Sequence, residues 1–269
     1  MGGSTDVEGR APVGCLPRSP AAPGTGVERL DPHLVSLVAP ASFEAEHYRT
    51  LRARLERPDG TSTQILAVTS AAVADGKTTT AINLAGALAQ ARDARVLLID
   101  ADLRRPSVGP LLGLDDPRGA GLSDVILDPG RSLSSVVRQR PALNLTVLTA
   151  GRLPAAPYEV LKAPRLGALF EETRRLFDHI VVDTPPVIPV PDCRLIARWV
   201  DGLLMVVAAH RTPRRLVEEG LGLFEPARVL GLVFNGDRRA SSGYYGYYAY
   251  GRAQHPRGRP RAGAPEPAD

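Results

Sequence analysis

The sequence predicts an α/β protein with a mostly parallel sheet and helices on both faces, and three observations support this. Six short apolar runs are each of strand length, at 65–68, 96–99, 145–148, 180–182, 203–207 and 229–234. Helical patterns at 76–91, 165–177 and 213–224 separate most of these runs. The runs are apolar at successive positions, which is typical of parallel strands that are covered on both faces.

One large domain between two tails is expected from the length of 269 residues and the 43% hydrophobic content. The predicted domain covers residues 41–238. Residues 1–40 carry many prolines and glycines and no sustained apolar period, so they are predicted to be disordered, with a docking segment near Leu30–Val38 left open. Residues 239–269 are predicted to form a flexible tail.

Charge and composition exclude several classes of function. The net charge is +4, of which residues 236–269 contribute +3, so the nearly neutral body argues against nucleic acid as a partner. Cys15 and Cys193 form neither a disulfide framework nor a metal-ligand spacing. No run approaches the ~18 apolar residues of a membrane span, and the N-terminus lacks the apolar core of a secretory signal. A cytoplasmic location is therefore expected.

The first predicted helix covers residues 42–56. Ser42 can cap it, and an apolar stripe at helical spacing indicates one buried side. That stripe consists of Tyr48, Leu51 and Leu55, whereas Glu46, Arg49 and Arg52 lie on another side.

The first strand leads into a small-residue loop and then into Gly76-Lys77-Thr78, which opens a helix. Strand, loop, Gly-Lys-Thr and helix form the P-loop arrangement, in which loop N–H groups and the helix N-terminus bind phosphates. Lys77 is one of only two lysines among 33 basic residues. It is expected to contact the β- and γ-phosphates of ATP, and Thr78 to hold Mg²⁺.

The residues predicted to bind the nucleotide phosphates are Ala72, Val73, Ala74, Asp75, Gly76, Lys77, Thr78 and Thr79. The motif departs from its usual form, because Ala71 stands where the pattern has glycine.

Acidic residues follow two of the predicted strands. Asp100 and Asp102 end the run at 96–99, and Asp183 ends the run at 180–182. Because the carboxyl ends of parallel strands meet at the ligand crevice, we expect the three carboxylates to lie near Mg²⁺ and the γ-phosphate. One of them could accept a proton from an attacking hydroxyl. Arg104 and Arg105 could balance transition-state charge or pair with Asp102, and the sequence does not choose between these roles.

Taken together, the motifs resemble the cytoplasmic kinase domain of bacterial tyrosine kinases of the CpsD/CapB type, over about residues 31–250. The resemblance is carried by Glu46–Arg52, Val68–Ala85, Val96–Pro106, Phe177–Val187 and Val229–Asn235, followed by a tyrosine cluster. It implies a protein-tyrosine autokinase that uses ATP and Mg²⁺ and regulates the synthesis and export of capsular polysaccharide or exopolysaccharide. Relative to the family pattern, Ala74 replaces a glycine, and Ala disfavours positive φ by about 1 kcal/mol or more.

The resemblance also implies a role for each matching residue. The catalytic set is Lys77, Asp100, Asp102 and Asp183, with Asp100 as the base and with Thr78, Asp102 and Asp183 at the metal. Asn235 corresponds to a position that reads adenine in related folds. Glu46, Arg49 and Arg52 match a self-association motif that joins protomers into a ring. A transmembrane polysaccharide co-polymerase is implied as activating adaptor, holding the chain at the inner face of the membrane, and a tyrosine phosphatase as a further partner.

The predicted phosphoacceptors lie in the tail. Five of the seven tyrosines of the chain fall within seven positions between glycines, at Tyr244, Tyr245, Tyr247, Tyr248 and Tyr250. Such a segment can enter an active site in extended form, and it is more easily reached by a neighbouring protomer than by its own site, so phosphorylation is expected in trans.

Two alternatives remain open from the sequence. One is an ATPase switch of the MinD/ParA type without kinase activity. Its signature lysine, five residues before the P-loop lysine, is Ala72 here, which favours the kinase. The other is a binding module whose nucleotide site is weakened by Ala71 and Ala74.

Overall fold

The computed structural model describes residues 30–56, 63–114, 116 and 119–237. By its internal contacts the chain divides into residues 1–235 and residues 236–269. Of the second unit only Gly236 and Asp237 are described. The predicted tyrosine cluster, and residues 1–29 of the predicted disordered segment, lie outside the described residues.

The first unit is organised around one sheet in the order β3-β4-β2-β5-β1-β6-β7. Every neighbouring pair is parallel except β3 and β4, which are antiparallel. The strands are β1 Gln64–Ser70, β2 Val96–Asp100, β3 Arg138–Arg140, β4 Leu145–Leu148, β5 His179–Asp183, β6 Gly202–Ala208 and β7 Val229–Asn235.

Helices cover both faces of this sheet, as predicted. They are α1 Val35–Val38, α2 Phe43–Leu55, α3 Lys77–Leu88, α4 Val108–Leu111, α5 Leu122–Leu127, α6 Pro157–Lys162, α7 Pro164–Leu176, α8 Asp192–Ile196 and α9 Arg214–Leu221. Side chains alternate along β1, so that Ile65 joins a core with α5 to α9 and Leu66 joins a second core with α1 to α4. Within the described part of the chain, no helix has the length and apolar character needed to span a membrane.

The six predicted strands are confirmed, most of them a residue or two longer than predicted. The sequence does not predict β3, because Arg138-Gln139-Arg140 has no apolar residue and lies half-buried at the sheet edge. Nor does it predict α4, α5, α6 and α8, which are too short to show a helical period.

The N-terminal boundary of the folded unit is earlier than predicted. Residues 30–40 were assigned to the disordered segment, and that assignment is wrong for Leu30–Val38, which packs on α3. Leu34 is fully buried in the second core. The backbone N–H of Ser36 donates to Oδ1 of Asn83 at 2.8 Å. The docking segment that the sequence left open is therefore part of the fold.

Replacing Leu34 by alanine should lower the free energy of unfolding by about 2–5 kcal/mol, because a fully buried leucine leaves a cavity. Urea denaturation of the purified protein measures this change. Leu153, 60% exposed, is the matched control, and Leu153→Ala should stay within about 0.5 kcal/mol of the unchanged protein. If both variants unfold at the same urea concentration as the unchanged protein, the docking of this segment contributes nothing to stability.

Candidate functional site

The site is assembled by the register of three adjacent strands. Asp100 at the end of β2 lies directly opposite Asp183 at the end of β5. Val68 of β1 is the partner of Asp183 on its other side. The chain then leaves β1 through the loop that ends at Lys77, the first residue of α3. The predicted lysine and acids therefore meet at one edge of the sheet.

Lys77 is the cationic centre of this cluster. Its Nζ lies 2.9 Å from Oδ2 of Asp102 and 3.7 Å from Oδ1 of Asp183. Burial alone would lower the pKa of Lys77, but the carboxylates of Asp183 and Asp102 outweigh it and raise the pKa. The ammonium group therefore stays charged beside the phosphate-binding loop.

The Thr78 hydroxyl donates to Oδ2 of Asp183 at 2.7 Å. The other oxygen, Oδ1, is buried and accepts no hydrogen bond, which is costly for a carboxylate. A carboxylate oxygen with an open position beside a threonine hydroxyl fits Mg²⁺, a hard cation that prefers oxygen ligands.

The number of acids also fits magnesium. Among the described residues there is no group of three or more Asp, Glu, His or Cys side chains arranged to hold a metal by themselves. Mg²⁺ does not need one, since it usually takes one or two carboxylates and completes its shell with phosphate oxygens and water. Thr78, Asp102 and Asp183 can thus hold the ion together with a nucleotide.

Asp100 has a different environment from the other two acids. Its side chain is fully buried, and Oδ2 accepts hydrogen bonds from the backbone N–H groups of Ser107 and Val108 at 3.0 Å each. Oδ1 accepts one from the N–H of Asp102 at 3.2 Å. Through these bonds Asp100 shapes the loop that presents Asp102.

Two of the acids, Asp100 and Asp183, have raised pKa values. Burial, followed by the neighbouring Asp183 carboxylate, raises the pKa of Asp100 to about 8. Burial raises the pKa of Asp183 to about 6, although Lys77 acts in the opposite direction. One lysine does not offset this excess of buried negative charge, so the electrostatics also favour a bound cation.

The phosphate-binding loop contains two residues with positive φ. Gly76 has φ +94°, and a Cβ there would lie 1.9 Å from Nδ2 of Asn235, so only glycine fits. Ala74 has φ +64°, a conformation unfavourable for alanine and expected from the glycine that it replaces. Ala71 is not among the described non-glycine residues with positive φ. Of the two departures from the usual motif, only the one at Ala74 strains the backbone.

The buried carboxylate of Asp75 holds this loop in place. It accepts hydrogen bonds from the N–H of Ala72 at 3.2 Å and from the hydroxyl of Thr212 at 2.7 Å. Arg211 donates to the carbonyl of Ala74 and lies 3.5 Å from the Asp75 carboxylate. We call Asp75, Arg211 and Thr212 the loop clasp. Neither Arg211 nor Thr212 was singled out from the sequence, because they lie more than 130 positions further along the chain.

The phosphate-binding loop opens into a cleft of about 790 Å³. Among the predicted site residues, its lining includes Val73, Ala74, Gly76, Lys77, Thr78, Thr79 and Asp102. Asn235 is not in that lining; its Nδ2 donates to the carbonyl of Asp75 at 3.0 Å. The predicted adenine contact of Asn235 stays a prediction.

The side chain of Arg104 pairs with Asp192 and not with Asp102, and its role in balancing transition-state charge stays a prediction. Its Nε and Nη2 donate to the two oxygens of Asp192 at 2.7 and 3.0 Å. Asp192 is fully buried at the start of α8 and was missed by the sequence analysis. The pair connects the loop after β2 with the proline-rich segment after β5. Arg105 lines the cleft, and its backbone N–H donates to Asp102.

The residues of the predicted self-association motif lie on α2. Arg49 donates to Glu46 and to the carbonyl of Pro40. Arg52 pairs with Glu56 and donates to the carbonyl of Ala87 at 2.8 Å, which fastens α2 to α3. Arg52 therefore stabilises its own chain, and the association role of the motif stays a prediction.

Comparison with known proteins gives consistent matches. The model of a family described as AAA domain matches residues 63–197. Tyrosine-protein kinase YwqD of Bacillus subtilis is 32% identical over 224 residues, which cover 82% of this chain and 92% of YwqD. The succinoglycan biosynthesis transport protein ExoP of Rhizobium meliloti is 34% identical over 204 residues, 73% of this chain and 25% of ExoP.

Among solved structures, the kinase domain of the Escherichia coli tyrosine kinase ETK matches with a TM-score of 0.71 and 30% identity. The match covers 80% of this chain and 84% of the ETK chain. Fold and sequence therefore agree over the part of the chain that contains the phosphate-binding loop and all three acids.

Replacing Ala74 by glycine should raise the free energy of unfolding by about 0.5–1 kcal/mol. Glycine adopts the positive φ without strain, which stabilises the folded state by about 1–2 kcal/mol. Glycine also increases the conformational entropy of the unfolded chain, which offsets part of this stabilisation. Ala72→Gly in the same loop is the control. Ala72 is not among the residues with positive φ, so this variant should lose about 0.5–1 kcal/mol. Urea denaturation measures both, and a loss of stability in both variants would contradict the strain at Ala74.

Proposed function

Since this chain belongs to the bacterial tyrosine kinases and is a protein-tyrosine kinase, we propose that it phosphorylates its own C-terminal tyrosine cluster in trans. The observation that carries the proposal is the convergence of Lys77, Thr78, Asp102 and Asp183 at the end of the phosphate-binding loop. The five proposed acceptors are Tyr244, Tyr245, Tyr247, Tyr248 and Tyr250.

The proposed reaction is in-line transfer of the γ-phosphoryl group of ATP to a tyrosine hydroxyl. The phenol oxygen forms a bond to the γ-phosphorus while the bond from that phosphorus to the β–γ bridging oxygen breaks, and ADP leaves. Lys77, already charged and buried, stabilises the negative charge on the phosphate oxygens. Mg²⁺, when bound by Thr78, Asp102 and Asp183, would neutralise phosphate charge and orient the phosphates.

Asp100 is proposed as the base that takes the phenol proton. Burial raises the pKa of its carboxyl to about 8, so the fraction that is ionised near neutral pH is a stronger base than an ordinary aspartate. Its Oδ2 stays bonded to the N–H groups of Ser107 and Val108. Its Oδ1 accepts only one backbone hydrogen bond, so this oxygen keeps a lone pair that can take the proton.

Phosphorylation in trans is proposed to take place in a ring of protomers joined through Glu46, Arg49 and Arg52 of α2. Each phosphate adds about −1.5 to −2 charges, so several on one tail repel one another and loosen the ring. Cycles of assembly and disassembly would then regulate the synthesis and export of a capsular polysaccharide or exopolysaccharide. The name of the relative ExoP, a succinoglycan biosynthesis transport protein, supports this process.

A membrane-spanning polysaccharide co-polymerase is proposed as the activating adaptor. It would hold the kinase at the inner face of the membrane, and a tyrosine phosphatase would reset the tail. ATP and Mg²⁺ are the cofactors that the site residues fit.

A mixing experiment tests transfer in trans. Lys77→Met removes the catalytic charge but leaves the tail intact, and a second variant keeps Lys77 but has the five cluster tyrosines replaced by phenylalanine. Neither protein should gain phosphotyrosine alone with Mg-ATP, whereas the mixture should label only the Lys77→Met chain. Mass spectrometry of residues 240–252 identifies the modified positions.

Labelling of the second variant alone, or no labelling in the mixture, would contradict the proposed acceptors or the proposed transfer in trans. Unmodified protein incubated with Mg-ATP is the positive control. ATP hydrolysis without any phosphotyrosine would instead support the switch ATPase.

Replacing Arg49 by alanine should dissociate the proposed ring into smaller species in analytical ultracentrifugation. Stability should change by less than about 1 kcal/mol, since its pair with Glu46 is a partly exposed contact within one helix turn. Arg54→Ala, an exposed arginine of the same helix, is the control and should keep the mass of the unchanged protein. A ring that survives Arg49→Ala would contradict the role of the motif.

A further inference from the structure

The cleft extends well beyond the phosphate-binding loop. In the sheet order, β1 carries this loop, β6 and β7 lie on one side, and β5 and β2 on the other. The lining of the cleft comes from the β1 loop and from the segments that follow β2 and β5. The space past Lys77 and Asp102 therefore lies on the side opposite to β7.

Much of the lining of this cleft is apolar, which is unusual for a site that handles charged phosphates. Besides Arg104, Arg105 and Ser107, the segment after β2 contributes Pro106, Pro110 and Leu111, and the segment after β5 contributes Pro186, Pro189 and Val190. We call these six residues the apolar wall. The proline rings fix the backbone φ near −65°, so the wall keeps its shape without a ligand.

The two halves of the apolar wall are fixed to each other. Arg104 precedes the first half and Asp192 follows the second, and the two side chains form a bidentate pair with both contacts at 3.0 Å or less. Asp192 is completely buried, and both of its carboxylate oxygens accept hydrogen bonds from Arg104. The separation of the two halves is thereby set by a strong, geometrically specific contact.

A tyrosine side chain matches this arrangement, because it combines a flat apolar ring with one polar end. A ring lying against the apolar wall can direct its hydroxyl to the charged end of the cleft, where Lys77 and Asp102 line the same space. Serine and threonine have no ring to cover the wall. The chain itself supplies five closely spaced tyrosines in a segment outside the described residues.

We propose that the apolar wall is the subsite that binds the phenol ring of the acceptor, and that it selects tyrosine over serine and threonine. The proposal deepens the proposed function and rests on it. The occupant is a tyrosine of the cluster Tyr244–Tyr250 from another copy of this chain.

Leu111→Ala tests the subsite without touching Lys77 or the acids. The enzyme is the full chain with the five cluster tyrosines replaced by alanine, so that its own tail cannot serve as acceptor. The acceptor is a peptide with the sequence of residues 242–252. Leu111→Ala should raise KM for the peptide about 10-fold, since methylene groups are lost from an apolar pocket. The Kd of a fluorescent ATP analogue should change less than twofold.

Leu127→Ala, at a leucine 62% exposed and outside the cleft, is the matched control and should leave both constants unchanged. An unchanged peptide KM in Leu111→Ala, with phosphorylation still occurring, would overturn the subsite but not the kinase assignment.

A second measurement does not depend on phosphate transfer. A peptide of the same sequence with phenylalanine at every tyrosine should bind the unchanged protein in fluorescence anisotropy, with a Kd within about threefold of that of the tyrosine peptide. The same peptide with serine at those positions should bind at least 10-fold more weakly. Equal binding of the phenylalanine and serine peptides would overturn the proposal. Binding of the phenylalanine peptide without any labelling of the tyrosine peptide would count against the proposed acceptors alone.

Discussion

The contact between the Lys77 ammonium and the carboxylates of Asp102 and Asp183 is the constraint on which the site depends. It exists because β2, β5 and β1 are parallel neighbours whose carboxyl ends coincide in register. A buried ion cluster of this kind is costly to form and far more costly to leave half complete. Packing on both faces of the sheet offsets that cost, since β1, β2, β4, β5 and β6 each contribute side chains to both cores. The chemistry is therefore a consequence of strand order and register more than of any one loop.

Much of this arrangement follows from the sequence, for physical reasons that can be named. Buried parallel strands appear as continuous apolar runs, and acids placed directly after such runs must lie at the crevice. The unfavourable backbone at Ala74 also follows, because the family pattern has glycine at that position and the structure has positive φ there. These features are local, so a single stretch of residues contains the whole signal.

What the sequence did not reveal depends on contacts between distant segments. Asp192 meets Arg104 across 88 positions, and Thr212 meets Asp75 across 137. No local period marks such pairs, and an isolated aspartate after a proline resembles an ordinary helix start. The edge strand β3 was missed for a different reason, since Arg138 and Arg140 give it no apolar face to recognise. The docking of Leu34 was left open because a segment of one helical turn has too few residues to show a pattern.

The loop clasp has a consequence for how the nucleotide site can be transplanted. The conformation of residues 72–76 depends on Thr212, which bonds the Asp75 carboxylate, and on Asn235. Thr212 lies in the connection after β6 and Asn235 ends β7, so both supports come much later in the chain. Grafting the P-loop octapeptide alone onto a foreign sheet would leave Ala74 without those external supports, and alanine would relax to an ordinary right-handed or extended backbone. The conformation of the P-loop motif therefore depends on the tertiary structure and not on its own sequence alone. A chimera of two relatives has to take the P-loop and the segments that carry Thr212 and Asn235 from the same parent.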